Sequence, residues 1–174
     1  YYKDETQTAE VLKNGYFHTG DIGEIDSDGF LKITDRKKEM FKTSGGKYVA
    51  PQILENAFKQ SRFIEQIMVI GDGEKMPAAF IQPNFEFVTE WAHRHNNTTF
   101  SSNEDMCSSK MVIDRIQEEI DHCNEKFGNW EKVKRFELTP DTWSIDAGHL
   151  TPTMKLRRKI IKEKYNDLYQ KIYG

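Results

Sequence analysis

Two short apolar segments near the middle of the chain, residues 67–70 and 78–82, are separated by the polar sequence Gly71-Asp72-Gly73-Glu74-Lys75. Apolar runs of this length, rich in Ile, Val and Phe, are typical of strands buried in a sheet. A Gly-containing connection between two such runs is typical of a hairpin. The sequence therefore predicts a buried hairpin, against which the rest of the chain packs.

Amphipathic helices are predicted on both sides of this hairpin along the chain. Pro51 suits the first position of a helix that continues over residues 52–60, where apolar residues recur at helical spacing. The same periodicity predicts further helices over residues 85–95, 112–127 and 155–173. These helices have one apolar face each, as expected of helices that cover a sheet.

Further extended segments are predicted nearer the N-terminus. One hairpin spans residues 22–34 and turns at Asp26-Ser27-Asp28-Gly29. Short extended segments are also predicted over residues 40–43 and 48–50, around a turn at Ser44-Gly45-Gly46. A strand is predicted over residues 133–138, and a Ser- and Asn-rich loop over residues 96–109. The predicted fold class is α+β, a small sheet with hairpins flanked by helices.

Composition excludes several classes of protein. The 174 residues are 37% hydrophobic, enough for the core of one ordinary domain, and the net charge of −3 gives no bulk attraction to nucleic acid. No apolar run approaches the roughly 20 residues that span a bilayer, and no signal-peptide pattern opens the sequence. Cys107 and Cys123 lack metal-ligand spacing and are expected to be free thiols in a reducing compartment, so a cytoplasmic location is predicted.

Three short motifs carry the polar chemistry of the chain. They are Gly15-Tyr16-Phe17-His18-Thr19-Gly20-Asp21, Asp35-Arg36-Lys37-Lys38 and Leu150-Thr151-Pro152-Thr153-Met154-Lys155-Leu156-Arg157-Arg158. A carboxylate on a Gly-held turn can accept hydrogen bonds from ribose hydroxyls, and an Arg offers forked donors to a nucleotide. Taken alone, Thr-Gly-Asp is simply a turn.

As a set, these motifs resemble the C-terminal part of the adenylate-forming superfamily, and most of all the long-chain fatty acyl-CoA synthetases. The similarity is carried by His-Thr-Gly-Asp, Asp-Arg-Lys-Lys-Glu, Gly-Gly-Lys-Tyr-Val-Ala-Pro and Leu-Thr-Pro-Thr-x-Lys, and it covers nearly the whole chain. It implies a ligase that joins a fatty acid to the α-phosphate of ATP and then to the thiol of coenzyme A. Mg²⁺ is implied as the companion of ATP.

The resemblance also implies a division of the chain. Residues 1–34 match the end of a large N-terminal AMP-binding domain, residues 35–38 a hinge, and residues 39–174 a mobile C-terminal domain. No Gly-rich phosphate loop ending in Lys precedes the three motifs. The chain is therefore interpreted as a C-terminal fragment that is inactive without its own N-terminal domain.

Residue roles follow from the same resemblance. Lys155 is assigned to the step that makes the acyl-adenylate, where its ammonium would offset two approaching anions, the carboxylate and the α-phosphate. Asp21 is assigned to the ribose hydroxyls, and Arg36 to the same ribose or the adjoining phosphate. The alternative for Lys155 is an ordinary lysine at the start of a basic helix face.

Further assignments concern the hinge and coenzyme A. Lys38 matches the hinge residue, and the alternative is a surface lysine. Gly45 and Gly46 match a loop that lets pantetheine pass closely, with Lys42 as a weaker candidate for aiding thioester formation. The chain departs from the family pattern at Tyr16, where many relatives have Trp, and in a Gly45 loop one residue longer than in luciferase-like members.

Other interpretations stay open. His18 has no second ligand at metal spacing, so no metal site is predicted, and Trp91, Trp130 and Trp143 are expected to pack in the core or at an interface. The enzyme could instead deliver its acyl group to a carrier protein or to oxygen. The chain could also be a non-catalytic docking module, or a basic helix in peripheral contact with an anionic membrane.

Overall fold

The computed structural model describes residues 1–36 and 39–174. Its elements follow one another along the chain as α1 Glu5–Val11, β1 Leu12–Lys13, β2 Tyr16–Phe17, β3 Asp21–Ile25, β4 Leu31–Arg36, β5 Phe41–Lys42, β6 Tyr48–Val49, α2 Pro51–Phe58, β7 Ile64–Ile70, β8 Ala78–Pro83, α3 Phe85–Asn96, α4 Asn103–Ser108, α5 Lys110–Asn124, β9 Arg135–Leu138, α6 Arg158–Lys164 and α7 Asn166–Tyr173. The predicted α+β class is confirmed.

The centre of the fold is a three-stranded sheet in the order β7-β8-β9. β7 and β8 pair antiparallel, with Ile67 opposite Ile81, which confirms the hairpin predicted from the two apolar segments. β9 runs parallel to β8, and a parallel neighbour requires a long crossover, here made by α3, α4 and α5. Every residue of β8 is buried because helices cover both faces of the sheet.

Alternation along the strands divides their apolar side chains between two cores. On one face, the sheet packs against α2, α3 and α5; this core includes Leu54, Phe58, Ile67, Val69, Ile81, Val88, Ile116 and Ile120. On the other face, the sheet packs against α6 and α7; this core includes Met68, Ile70, Phe80, Trp143, Ile161, Tyr165 and Ile172. The C-terminal helices are therefore fixed to the sheet from the side opposite to α2.

The predicted hairpin near the N-terminus is present as β3 and β4. β4 continues through Asp35 and Arg36, whose register partners are Ile22 and Asp21, so the first two residues of the predicted 35–38 hinge lie in a strand. A bulge between Ile22 and Gly23 shifts the register of this strand pair. In the described parts of the chain, none of the helices combines the length and apolar character needed to cross a bilayer.

Two predictions of secondary structure, one loop and one helix, were wrong in detail. The segment predicted as a loop contains α4, whose first turn is capped by the side chain of Ser102 and whose Met106 is buried. The single helix predicted over residues 155–173 is two helices, α6 and α7, with a break at Tyr165. Tyr165 is buried against Phe80 and donates its hydroxyl proton to Asp141 at 2.9 Å, and these tertiary contacts outweigh helical continuity.

Candidate functional site

Lys155 lies in a tight turn between Leu150 and Leu156, which form an antiparallel bridge, and not at the start of a helix as predicted. The Thr151 carbonyl accepts from the Met154 N–H, and the Thr151 N–H donates to the Lys155 carbonyl, both at 2.8 Å. The Thr151 hydroxyl oxygen accepts from the Lys155 N–H at 3.0 Å. Both backbone groups of Lys155 are therefore held within the turn.

The turn presents the Lys155 side chain to solvent on a fixed backbone. Pro152 fixes its own φ and restricts Thr151, and the hydroxyl oxygens of Thr151 and Thr153 are 3.1 Å apart. Met154 closes the turn with a φ of 59°, in the left-handed region. A cation on so constrained a backbone can meet developing negative charge at a set position.

Arg158, at the start of α6, connects this turn to three other parts of the domain. Its guanidinium donates to the buried Glu55 carboxylate at 2.7 Å and to the Val69 carbonyl at 3.2 Å, and its Nε lies 3.5 Å from the Glu39 carboxylate. Glu55 also accepts from the Val69 N–H at 2.7 Å, and Glu39 from the Gln52 amide at 3.0 Å. Burial raises the pKa of Glu55, and the Arg158 charge opposes that rise.

A second cluster anchors the residues before the turn. His149 is buried against the rings of Trp143 and Tyr165, which also stack on each other, and its Nε2 lies 3.2 Å from the Lys164 ammonium. Lys164 also lies 3.1 Å from the Asp141 carboxylate. Burial lowers the pKa of His149, and the Lys164 charge lowers it further. A neutral His149 therefore joins the Lys155 turn to the α6–α7 junction.

The Lys155 turn forms one wall of a polar cleft of about 190 Å³. The cleft is lined by Glu39, Gln52, Glu55, Asn56, Lys59, Met154, Lys155, Leu156 and Arg158. Binding pockets for whole ligands usually measure about 300–1,000 Å³. The cleft by itself is therefore too small for a nucleotide, and a complete nucleotide site needs further surface.

The predicted coenzyme A loop is the turn of the β5–β6 hairpin. Gly46 has a φ of 80° and donates to the Thr43 carbonyl at 2.8 Å. Gly45 lies beside it in open space, where a Cβ would come no closer than 4.0 Å to its nearest neighbour. The conformation therefore requires glycine at Gly46 but not at Gly45. Lys42 is exposed, with its ammonium 5.6 Å from the ring centroid of Tyr48.

An exposed tryptophan lies next to this loop. The Lys47 ammonium is 5.6 Å from the centroid of the Trp130 ring, and Trp130 is 50% exposed. Trp143 is buried and Trp91 packs against the core that contains α2, α3 and α5, as expected, whereas Trp130 lies outside both cores. Sequence reasoning missed Trp130 because nothing in its local pattern marks it as exposed.

The two residues predicted to bind the nucleotide lie opposite each other in the backbone register of a strand pair. Asp21 and Arg36 are paired across β3 and β4, and the Asp21 N–H donates to the Thr19 hydroxyl at 3.1 Å. Lys38, the predicted hinge residue, lies outside the described residues. Asp21 and the Gly45 loop do not contribute to the described lining of the cleft that holds Lys155.

The remaining candidate groups are the lysines of α6, possible metal ligands and the Cys107 thiol. Lys159 lies 3.9 Å from Glu163, and the Lys162 ammonium lies 4.3 Å from the Tyr169 ring centroid, so part of the basic charge of α6 is already paired. Over residues 1–36 and 39–174, no cluster of three or more His, Cys, Asp or Glu side chains is placed to hold a metal ion. Cys107 is a free thiol whose pKa burial raises to about 12, so it is a poor nucleophile.

Comparison with known proteins relates the chain to one family. Residues 39–174 match the family described as AMP-binding enzyme C-terminal domain. The whole chain is 36% identical to long-chain-fatty-acid–CoA ligase FadD15 of Mycobacterium tuberculosis, of which it covers 29%. It is 38% identical to human long-chain-fatty-acid–CoA ligase 1, of which it covers 25%. The chain thus spans little more than a quarter of these relatives.

Solved structures share the fold. The A domain of the carboxylic acid reductase from Segniliparus rugosus, in complex with AMP and a co-purified carboxylic acid, superposes on 99% of this chain with a TM-score of 0.79 and 24% identity. The chain covers 26% of that structure. At this identity, the similarity supports the arrangement of helices and strands alone.

Proposed function

Because the chain belongs to the family of AMP-binding enzyme C-terminal domains, we propose that it is the C-terminal part of an ATP-dependent long-chain fatty acid CoA ligase. In the first half-reaction, the fatty acid carboxylate attacks the α-phosphate of ATP, which forms the acyl-adenylate and releases pyrophosphate. In the second, the thiol of coenzyme A attacks the acyl carbon and AMP leaves. Similarity over the whole chain to ligases with this substrate in their names supports the substrate class.

The observation that carries the proposal is the exposed Lys155 on its closed turn. The first half-reaction brings two anions together, so a fixed ammonium between them lowers the barrier by opposing their repulsion. The backbone bonds of the turn fix the Cα of Lys155 and do not involve its side chain, which can therefore extend to the reacting groups. Lys155 precedes α6, which begins at Arg158.

The nucleotide is proposed to contact the β3–β4 hairpin. The carboxylate of Asp21 would accept from the ribose hydroxyls, and Arg36 would bind the ribose or the neighbouring phosphate. Mg²⁺ would enter with ATP, and no residue of this chain is assigned to it. Lys38 stays the predicted hinge, and a cytoplasmic location with peripheral membrane contact stays a prediction.

The β5–β6 turn is proposed to face coenzyme A. Gly45 leaves room for a narrow pantetheine chain beside the backbone. Lys42 and Lys47 supply positive charge next to it, and the exposed Trp130 ring offers a face on which an aromatic base can stack. These groups suit a ligand that joins a thiol arm to a charged nucleotide.

Replacing Gly45 by leucine should impair only the second half-reaction. The position has room for a side chain and no positive φ, so Gly45→Leu should fold normally, while its side chain should obstruct pantetheine. In the full-length protein, we expect thioester formation from supplied acyl-adenylate to fall about 10-fold or more. Pyrophosphate exchange should stay unchanged. The matched control is Thr99→Leu in the exposed segment between α3 and α4, and equal rates for the two variants would exclude the Gly45 loop from coenzyme A binding.

The proposed function is tested by assaying both half-reactions. The full-length protein should exchange pyrophosphate into ATP only when a long-chain fatty acid is present, and should then consume coenzyme A. The 174-residue chain alone should do neither, since it lacks a phosphate loop. Exchange without thioester formation would favour a carrier-protein pantetheine as the acceptor, and no exchange with any carboxylic acid would favour a docking module.

A further inference from the structure

We propose that Arg158 is a positioning residue for Lys155. Its guanidinium contacts Glu55 in α2, Val69 in β7 and Glu39. These contacts connect the turn that carries Lys155 to three other parts of the domain. This inference rests on the proposed role of Lys155 in forming the acyl-adenylate. It gives the buried Glu55–Arg158 pair a part in catalysis besides its part in stability.

The chain between Lys155 and Arg158 is held on both sides. Leu156 forms the bridge with Leu150, and the Arg157 N–H donates to the His149 carbonyl at 2.8 Å. The turn and the first residue of α6 therefore move together. A displacement of the Arg158 guanidinium would therefore also displace the backbone of Lys155.

The contacts of Arg158 suit orientation rather than substrate binding. Two carboxylates and a carbonyl already accept from or lie against its planar fork, and Glu55 is only 5% exposed. These contacts set the orientation of the guanidinium from within the protein. The planar fork of the guanidinium fixes the orientation of α6 relative to α2 and β7. The single ammonium of a lysine at this position would not fix that orientation.

Glu39 supplies the least buried of these contacts. The Glu39 carboxylate lies 3.5 Å from Nε of Arg158 and accepts a hydrogen bond from the side-chain amide of Gln52, in the first turn of α2. Glu39 also lines the same cleft as Lys155. Removing its charge leaves the Arg158–Glu55 pair and both cores in place. Glu39→Gln is therefore a variant that should fold even where changes at Arg158 lower stability.

The test measures both half-reactions in the full-length protein. Arg158→Lys keeps the charge but loses the fork, and we expect the kcat of pyrophosphate exchange to fall roughly 10-fold, because small displacements of a catalytic group are costly. Glu39→Gln should lower the same kcat less. Thioester formation from supplied acyl-adenylate should change by less than about twofold in both variants.

A mutant cycle with Lys155→Ala distinguishes positioning from support of the fold. If Arg158 acts through Lys155, adding Arg158→Lys to Lys155→Ala should cost no further exchange activity. Equal losses in both half-reactions, or full additivity with Lys155→Ala, would overturn the inference, as would unchanged exchange in both Arg158→Lys and Glu39→Gln. If Lys155→Ala alone leaves exchange intact, the proposed function of Lys155 fails instead.

Discussion

Lys155→Ala in the full-length protein should reduce acyl-adenylate formation by about 10²-fold or more, comparable to the loss of one preorganised electrostatic contact. The reason is that the carboxylate and the α-phosphate would then approach without a cation between them. Thioester formation from supplied acyl-adenylate should change much less, because the ammonium acts where the anions meet. The measurement is pyrophosphate exchange and thioester formation on one preparation.

The same variant should leave stability nearly unchanged. The turn is closed through the backbone of Lys155 and the side chain of Thr151, and alanine keeps both backbone bonds. The free energy of unfolding should therefore move by less than about 0.5 kcal/mol. Lys159→Ala, at another exposed lysine close in sequence, is the matched control and should retain exchange activity. Normal exchange in Lys155→Ala would remove its catalytic role, and a collapsed melting temperature would make that role structural.

Much of the fold could be predicted from local pattern. Residues 67–70 and 78–82 are strands because continuous apolar runs suit a sheet that is buried on both faces. Pro51 begins α2 as its fixed φ predicts. These features depend on residues that are close together in the sequence, so local patterns are enough to predict them.

The C-terminal segment could not be predicted in the same way. Its periodicity suits one helix over residues 155–173, but Tyr165 interrupts it by packing on Phe80 and bonding to Asp141. Similarly, Lys155 leaves the helix because Leu150 and Leu156 form a bridge. Both outcomes are decided by partners that lie outside the helix, several of them far away along the chain, and helical propensity carries no information on such partners.

The site shows the same limit. Lys155, Asp21 and Arg36 could be found because their motifs resemble a known family, whereas Glu55 and Arg158 were not singled out. One signal did exist: Glu55 falls next to Leu54 on the buried side of α2, where an acid needs a partner. Its partner is 103 residues away along the chain, and no local rule connects positions so far apart.

Removing the Glu55 carboxylate should therefore be strongly destabilising. Glu55→Ala leaves Arg158 without its buried partner and the Val69 N–H without its acceptor, two bonds of 2.7 Å in the structure. Breaking a fully buried ion pair from one side typically costs about 3–5 kcal/mol. The Arg158 side chain is 26% exposed and keeps Glu39 at 3.5 Å, so we expect the lower end of that range, about 3 kcal/mol. For a chain of this size, that loss lowers the melting temperature by roughly 10 °C. Urea and thermal unfolding of the 174-residue chain, with a constant m value, measure both quantities.

Two further variants test whether burial, and not ion pairing as such, causes this effect. Glu163→Ala removes an exposed pair with Lys159 at 3.9 Å, and exposed pairs contribute at most about 1 kcal/mol. Glu55→Gln keeps an oxygen for the Val69 N–H but loses the charge, so its stability should fall between those of the parent and Glu55→Ala. If Glu55→Ala were no more destabilising than Glu163→Ala, the Arg158 contacts would not hold α6 to α2. The Lys155 turn would then depend on the His149 cluster alone for its position.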